Sequence, residues 1–415
     1  MRAPVRGDRG RGAGAGSAGL VGGHYTGVER GEGGEEEEDG VRRTPLHGFH
    51  LEHKAHMVEF AGWEMPLYYS GILEEHAQVR TSGGLFDVSH MGRVKVTGRH
   101  ARRFLERVCS RRVSDMTAGQ CRYSLVLNEG GGVRDDIIVY RLDEDDFLLV
   151  VNASNRSKLM EHFEAVRSAG DLAVKLEDHT EKTAMVALQG PRVMELIGRY
   201  SKEIPSLKRY RFSVKNLLVM KITVSRTGYT GEDGIEAILP AGAVGMAMKF
   251  LLRDVDPSAA GALIRPAGLG ARDTLRIEAG MPLYGHELGE GIGAWSCGVD
   301  FAITMEKDGD ARGEPFVGQE ALRRVMSEGG PKHRLVGLEL EGRRAARQGM
   351  SVLSGETAVG TVTSGCLSPS LGKSIAMAFV EPSRVEVGSA VRVETGKGSV
   401  LEGRVVPMPF YKAAK

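Results

Sequence analysis

The stretch from Tyr123 to Ser154 constrains the fold of this chain more than any other segment. Three runs rich in β-branched and aromatic residues, YSLVLN, VRDDIIVYRL and FLLVVNAS, are separated by the turn sequences EGGG and DEDD. Short apolar runs broken by Gly-rich and Asp-rich turns are typical of adjacent antiparallel strands. We therefore expect an antiparallel β-meander in this part of the chain.

The flanking segments predict a mixed α+β chain. Helical spacing of apolar residues is found over residues 72–79, 101–109, 156–169 and 268–280. Strand-like runs are found over residues 183–188, 217–225 and 235–239. From about His333 onward, short alternating strands with frequent Gly predict a separate C-terminal β-barrel or sandwich.

Composition excludes several classes of function. The 415 residues are enough for two or three domains. The 55 Lys and Arg residues nearly balance the 54 Asp and Glu residues, so no net electrostatic field favours binding to nucleic acid or acidic membranes. The four cysteines are far apart, without zinc spacing, which predicts reduced thiols and no metal site. Neither a membrane-spanning run nor a signal peptide is present, so we expect an intracellular protein.

Residues 1–41 differ from the rest of the chain. Thirteen of the first 40 positions are Gly, and the acidic run Glu35–Asp39 follows them. Such a segment buries too little apolar surface to offset its ordering entropy, so we expect a disordered extension or an over-long gene prediction. A few early arginines are typical of a transit peptide, but Ser residues and amphipathic spacing are lacking.

The Asp135-Asp136 pair is the first candidate for chemistry. Strand alternation puts Asp136 on the face shared with Ile138 and Tyr140, and Asp135 on the other face. A carboxylate on an apolar face loses hydration, which raises its pKa and suits it to proton handling or to binding a protonated heterocycle. The alternative is a structural Asp bonded to backbone N–H groups.

Other side chains could complete a pocket for a flat ligand. Tyr123, Tyr140, Tyr229 and Trp295 could stack on a ring, although each alone could equally be core. Glu236 could bind the edge of an aminopyrimidine, or it could be an exposed strand residue. Arg272 could bind a carboxylate such as a glutamate tail, or it could form a structural ion pair. Neither nucleotide-binding glycine fingerprint occurs. His90 lacks the partners of a triad or metal site and is interpreted as structural or ligand-lining.

These residues belong to long segments that together resemble the glycine-cleavage T-protein family. The segments are RTPLHGFH (43–50), VEFAGWEMPLYY (58–69), LFDVSHMG (85–92), NEGGGVRDDIIVYR (128–141), VALQGP (186–191), TGYTGEDGIE (227–236), GLGARDTLRIEAGMPLYG (268–285) and TVTSGCLSPSLGKSIAMAFV (361–380). They follow the family's order, and the match as a whole spans essentially residues 42–411. The resemblance implies an α+β, three-domain cloverleaf with a central folate pocket and a C-terminal antiparallel β-barrel.

The resemblance also implies domain boundaries. Residues 42–92 and 178–290 would form a discontinuous folate-binding domain 1, residues 93–177 the meander domain 2, and residues 291–415 a linker and the barrel domain 3.

The same resemblance assigns roles to individual residues. Asp136 matches the family's essential aspartate, Tyr229 would stack on the pterin, Glu236 would bind its pyrimidine edge, and Arg272 matches the folate-site arginine. Further positions expected to line the pocket are Met91, Tyr123, Ile138, Tyr140, Asn152 and Trp295. Tyr210 is a weaker candidate because the sequence around it matches poorly.

The implied reaction moves a methylene group from the aminomethyl-lipoyl arm of the H-protein to tetrahydrofolate, releasing ammonia and forming 5,10-methylene-tetrahydrofolate. Tetrahydrofolate would be the one-carbon acceptor, without metal or flavin. Expected partners are the lipoylated H-protein, glycine decarboxylase (the P-protein) and dihydrolipoyl dehydrogenase (the L-protein). The expected location is the cytoplasm of a bacterium, or the mitochondrial matrix of a eukaryote.

Two other readings share the motifs. Folate-dependent demethylases have this fold, and non-enzymatic folate-binding factors for iron–sulfur cluster assembly carry a KGCYxGQE signature. This chain reads GEPFVGQEAL over residues 313–322, with Phe316 in place of the Tyr and no preceding cysteine. That departure argues against the assembly role.

Overall fold

The computed structural model of the protein describes residues 40–217, 220–252, 259, 261–396 and 398–413. The extension predicted over residues 1–41 therefore lies outside the described residues, apart from Gly40 and Val41. The strands, in chain order, are β1 (Arg42–Arg43), β2 (His56–Phe60), β3 (Trp63–Tyr68), β4 (Gly84–Asp87), β5 (Gly92–Thr97), β6 (Gln120–Leu127), β7 (Val133–Asp143), β8 (Asp146–Val151), β9 (Lys175–Asp178), β10 (Thr183–Gln189), β11 (Phe212–Leu217), β12 (Met220–Ser225), β13 (Gly234–Pro240), β14 (Arg265–Pro266), β15 (Arg334–Leu340), β16 (Ser351–Ser354), β17 (Thr357–Leu367), β18 (Ser374–Val380), β19 (Ala390–Glu394) and β20 (Val400–Val406).

The helices are α1 (His47–Glu52), α2 (Ile72–Thr81), α3 (Ala101–Val108), α4 (Arg156–Ala169), α5 (Val193–Ile197), α6 (Val244–Leu251), α7 (Leu269–Glu278) and α8 (Gln319–Ser327). Short 3-10 helices lie at Ala153–Asn155, Ile204–Ser206, Ala241–Ala243, Ala294–Ser296, Asp300–Ala302 and Lys307–Gly309. The mixture of helices and sheets confirms the predicted α+β class.

The predicted meander is present as the strands β6, β7 and β8, which are neighbours in a five-stranded sheet of order β6-β7-β8-β5-β9. All of its pairings are antiparallel. Helices α3 and α4 cover one face, where Phe104 and Phe163 pack edge to face in a fully buried core with Val139. Strand alternation directs Asp136 and Ile138 to the opposite face, which borders a cavity.

A six-stranded sheet of order β11-β12-β13-β10-β4-β14 faces that cavity from the other side. The sequence predicted one strand over residues 217–225, whereas the structure has the hairpin β11-β12, with residues 218 and 219 outside the described part. The first strand was missed because its alternation of apolar and polar residues, which indicates a strand, extends only over residues 212–215.

Helix α7 crosses the junction between the sheets, and its start requires glycine. A Cβ at Gly268 would lie 2.3 Å from the Leu67 carbonyl oxygen, so only a residue without a side chain allows this approach. The helix ends as predicted near Gly280, which has a φ of +64°.

The C-terminal strands form a closed antiparallel barrel of order β15-β18-β17-β16-β19-β20, with β20 returning to β15. Its interior is filled by small apolar side chains such as Val352, Val362 and Ala376. The predicted antiparallel β-barrel is confirmed. The predicted domain boundaries stay a prediction.

Buried ion pairs fasten α7 to the barrel and to α2. Glu278 contacts Arg80 at 2.8 Å and His76 at 3.2 Å, and accepts a hydrogen bond from Ser370 of the β17-β18 turn. These partners hold the pKa of Glu278 down, at about 2, against the opposing effect of burial. Arg276 pairs with Glu287 at 2.9 Å and donates to Ser364 of β17. The wall of the cavity at α7 is therefore fixed from two sides.

The segment between α7 and the barrel is tied to helix α3 by a buried lysine. The Nζ of Lys307 donates to the carbonyls of Glu106 and Cys109, both at 2.5 Å, and lies 3.0 Å from the Glu106 carboxylate. Both side chains of the ion pair are fully buried.

We predict that Lys307→Ala destabilises the protein by about 3–5 kcal/mol, because it leaves the Glu106 carboxylate buried without a counter-charge. The matched control is Lys215→Ala, which breaks the partly exposed pair with Glu203 and should cost less than about 1 kcal/mol. Thermal unfolding midpoints of the two variants check this. Equal midpoints would show that the buried pair contributes no more than the surface pair.

Candidate active site

A cavity of about 400 Å³ lies between the meander sheet, the six-stranded sheet and α7. This volume is in the range of sites for small molecules. Of the residues predicted for the site, Tyr140 and Trp295 lie outside the cavity wall, and the others belong to it. The weaker candidate Tyr210 also lines it.

Asp136 reaches the cavity from β7 and is held by Asn152, which follows β8. The Asn152 side-chain amide donates to the Asp136 carboxylate at 2.8 Å and to the Asp135 carboxylate at 2.8 Å. The Asn152 backbone N–H and the Asn155 amide also donate to Asp135. One amide thus bridges the buried Asp135 and the partly buried Asp136.

Burial disfavours the charged form of both acids. It raises the pKa of Asp135 to about 7, with a further contribution from the negative charge of Asp136. Burial also raises the pKa of Asp136, although the hydrogen bond from Asn152 opposes this increase. Asp136 is thus an acid whose proton is held more tightly than that of an aspartate in water.

Tyr229 and Arg272 form the opposing wall with Glu236. The Arg272 guanidinium lies 4.8 Å from the centroid of the Tyr229 ring, an arrangement typical of a cation–π contact. The Tyr229 hydroxyl donates to the Pro282 carbonyl at 2.5 Å, and Glu236 accepts from Thr227 at 2.5 Å. The Tyr229 ring is thereby held both by a contact on its face and by its hydroxyl.

Three buried polar atoms on the wall lack hydrogen-bond partners among the described residues. They are the Tyr123 hydroxyl, Nη1 of Arg272 and Nδ1 of His90. Burial, reinforced by the positive charge of Arg272, lowers the pKa of His90 to about 4, so its imidazole is neutral at pH 7. Buried polar groups are nearly always paired, so these three mark places for groups of a ligand.

Two expectations from the sequence differ from the placement in the structure. Tyr140 shares a strand face with Asp136, but its ring packs against Phe212 and its hydroxyl bonds Ser225 at 3.0 Å. Trp295 donates from its indole to the Leu322 carbonyl at 3.2 Å and packs in the core near α8. These tertiary contacts, which cannot be predicted from the sequence around each residue, hold both rings away from the cavity wall.

The wall also includes residues that the sequence did not single out for the site. Phe301 is 60% exposed, and its ring centroid lies 5.7 Å from that of Tyr123. Phe60, which packs edge to face on His90, lies within the segment VEFAGWEMPLYY. Phe301 follows no periodic pattern, so only its tertiary position reveals it.

The described ranges contain neither a metal-binding cluster nor a membrane-spanning helix. No group of three or more His, Cys, Asp or Glu side chains there could hold a metal ion. The helices in the same ranges are all too short or too polar to cross a lipid bilayer.

Comparison with known proteins decides the family. Residues 46–307 match the family model described as the GCVT N-terminal domain, and residues 333–412 match the glycine cleavage T-protein C-terminal barrel domain. The chain belongs to the glycine cleavage T-protein family. The aminomethyltransferase of Rubrobacter xylanophilus is 46% identical over 90% of this chain and 95% of its own length. The corresponding figures for the aminomethyltransferase of Thermotoga maritima are 40%, 90% and 99%.

A solved structure supports the same assignment. The glycine cleavage system aminomethyltransferase T from Bartonella henselae has a TM-score of 0.80 to this T-protein family member, with 31% identity over 90% of this chain and 99% of that one. The T-protein-like fold and the aminomethyltransferase function predicted from the sequence are confirmed.

We predict that Asn152→Ala moves the acidic limb of the pH profile of kcat/KM upward by about 1–2 pH units. The free energy of one hydrogen bond to a charged group corresponds to a pKa change of about this size. The Asn152 amide favours the charged form of Asp136, so the loss of this amide raises the pKa of Asp136. As the pH is lowered, the variant should therefore lose activity at a higher pH than the wild-type protein. Asn155→Ala is the matched control because its amide contacts Asp135 and not Asp136. Equal shifts in the two variants would contradict the assignment of the limb to Asp136.

Proposed function

We propose that the cavity binds tetrahydrofolate and that this chain transfers a methylene group to it from the aminomethyl-lipoyl arm of an H-protein. The observation that carries the proposal is the partly buried Asp136 carboxylate, whose pKa is raised, in the same cavity as Tyr229, Glu236 and Arg272. The aromatic ring, the acid and the guanidinium suit a flat heterocycle that has an aminopyrimidine edge and a carboxylate tail.

The fit is supported by the unpartnered polar atoms on the wall. The Tyr123 hydroxyl and Nη1 of Arg272 can each donate a hydrogen bond to a ligand, and the neutral His90 can donate or accept one. Glu236 keeps one carboxylate oxygen on Thr227, and its other oxygen can accept from an amino group. Ring recognition thus combines stacking with hydrogen bonds at several edges.

The overall reaction conserves atoms and charge. The arm R–S–CH2–NH2 and tetrahydrofolate give R–SH, 5,10-methylene-tetrahydrofolate and ammonia, so the two protons lost from N5 and N10 go to the thiol and to the amine. We infer that cleavage of the C–N bond leaves an electron-deficient carbon that folate N5 attacks. Asp136 would orient the ring and stabilise the positive charge that develops beside it, an effect that is strong in a site shielded from water.

The resemblance supplies the wider assembly. The family belongs to the glycine cleavage system, and we propose that the lipoylated H-protein is the direct partner, with the P-protein and the L-protein acting on the same arm. We propose that the reaction uses neither metal nor flavin. A cytoplasmic location, or the mitochondrial matrix in a eukaryote, completes the proposal.

We predict that Asp136→Asn lowers kcat by about 10²–10³, the usual loss when one preorganised electrostatic contact to a transition state is removed. The affinity for tetrahydrofolate should change much less, because the amide fills the same space. Ammonia release from aminomethylated H-protein in the presence of tetrahydrofolate gives kcat, and calorimetric titration gives the affinity. Asp143→Asn, at the exposed end of the same strand, is the control.

Two outcomes would contradict this proposal. Near-normal turnover of Asp136→Asn would remove Asp136 from the chemistry. Folate binding by the wild-type protein without any ammonia release would instead indicate an accessory folate-binding role.

A further inference from the structure

Tyr229 and the groups that hold its ring belong to different elements of the fold. Tyr229 lies in the loop of residues 226–233, between β12 and β13. The two groups that hold its ring, the Arg272 guanidinium and the Pro282 carbonyl, belong to α7 and to the residues that follow it. A fixed position of the ring therefore requires a fixed separation between the loop and α7.

The loop packs directly on the end of α7. A Cβ at Gly231 would lie only 2.9 Å from the Cβ of Ala279, the residue after the helix. Ala279 itself belongs to the wall of the central cavity. A change at this junction would therefore move the loop relative to the cavity wall, because protein interiors are closely packed.

Arg80, in the last turn of α2, joins the loop to α7. Its Nη1 donates to the Thr230 carbonyl and to the Glu232 carboxylate, both at 2.8 Å. Its Nη2 donates to the Glu278 carboxylate at 2.8 Å and to the Leu275 carbonyl at 3.3 Å. One terminal nitrogen of the guanidinium thus binds the loop, and the other binds the helix.

The bridge is buried. The side chain of Arg80 is 7% exposed, and those of Glu232 and Glu278 are 3% and 0% exposed. The guanidinium carbon lies 3.9 Å from the centroid of the Tyr411 ring, which covers one face of the group. A planar guanidinium can bind acceptors on two sides at once, whereas lysine offers a single nitrogen. The bridge therefore depends on the shape of arginine as well as on its charge.

Arg80 is not part of the wall of the central cavity. Any effect of Arg80 on a ligand must therefore pass through the groups that it holds. Thr230 follows Tyr229 in the chain, so a shift of the Thr230 backbone changes the position of the Tyr229 ring. Stacking depends on the offset and the distance of the two rings, and a displaced ring therefore binds a flat ligand less tightly.

We propose that Arg80 is a positioning residue for tetrahydrofolate, which acts by fixing the loop that carries Tyr229 relative to α7. The inference rests on the proposed function, since Tyr229 is the ring on which the folate would stack. The Asp136 carboxylate is held by Asn152 and not by this bridge. The role of Arg80 is therefore in the affinity for tetrahydrofolate and not in the chemical step.

The experiment measures Arg80→Lys by calorimetric titration with tetrahydrofolate and by the kinetics of ammonia release. We expect the dissociation constant and the KM for tetrahydrofolate to rise about threefold to tenfold, the range of a weakened stacking contact. At saturating tetrahydrofolate, kcat should change by less than about twofold, since the interaction is made equally in the ground state and the transition state. The KM for aminomethylated H-protein should not change.

A double-mutant cycle separates positioning from a general loss of stability. In the Tyr229→Leu background, Arg80→Lys should weaken binding by less than about twofold, because the ring through which it acts is absent. The matched control is Arg265→Lys, since Arg265 pairs with Glu74 of the same helix α2, outside the bridge. This control should retain the wild-type dissociation constant.

A second variant keeps the test independent of the folding of Arg80→Lys. Glu232→Gln removes the charge on the loop side and leaves the ion pair between Arg80 and Glu278 in place. It should raise the dissociation constant of tetrahydrofolate by about twofold to threefold, since the hydrogen bond to the loop is then no longer assisted by two charges.

Unchanged affinity for tetrahydrofolate in Arg80→Lys or, if that variant does not fold, in Glu232→Gln would overturn the positioning role and leave the proposed function intact. Equal weakening by Arg80→Lys in the wild-type and Tyr229→Leu backgrounds would also overturn it, because Arg80 would then act through another group. Failure of the wild-type protein to bind tetrahydrofolate would instead overturn the proposed function, and this inference with it.

Discussion

The bridge that Asn152 makes between Asp135 and Asp136 is the interaction on which the site depends. Two neighbouring carboxylates in a buried strand repel one another and are each poorly solvated, so neither would be charged without a donor. A single amide donates to both at 2.8 Å, while Asn155 satisfies Asp135 from the other side. The result is one acid enclosed behind the sheet and one acid presented to the cavity.

That arrangement is useful only if the opposite wall is equally fixed. Helix α7 provides this wall, since Arg272 points to the cavity while Arg276 and Glu278 bind the barrel and α2. The buried ion pairs of α7 fix the position of the helix but add little net stability, because the cost of desolvating the charges offsets much of their attraction. The barrel therefore shapes the central cavity without contributing most of its wall.

Much of the fold follows from local patterns in the sequence. The meander, the helix 156–169 and the stop at Gly280 could be predicted because periodicity and turn residues act over a few positions. Edge strand β11 was not predicted, because its apolar–polar alternation extends over only a few positions. For the site, strand alternation predicts the orientation of Asp136, whereas the structure has Tyr140 and Trp295 away from the cavity wall that they were expected to line. Their positions depend on contacts with Phe212 and with the Leu322 carbonyl, far along the chain.

Burial gives Asp136 a raised pKa at the wall of the central cavity. Carbon-13 NMR of the aspartate side-chain carboxyls, with Asp136 assigned by comparison with Asp136→Asn, measures that titration directly. We predict a midpoint clearly above the ordinary aspartate pKa of 3.8, which moves on addition of tetrahydrofolate. A midpoint at or below 3.8, unaffected by the ligand, would show that this carboxyl is solvated and lies apart from the chemistry.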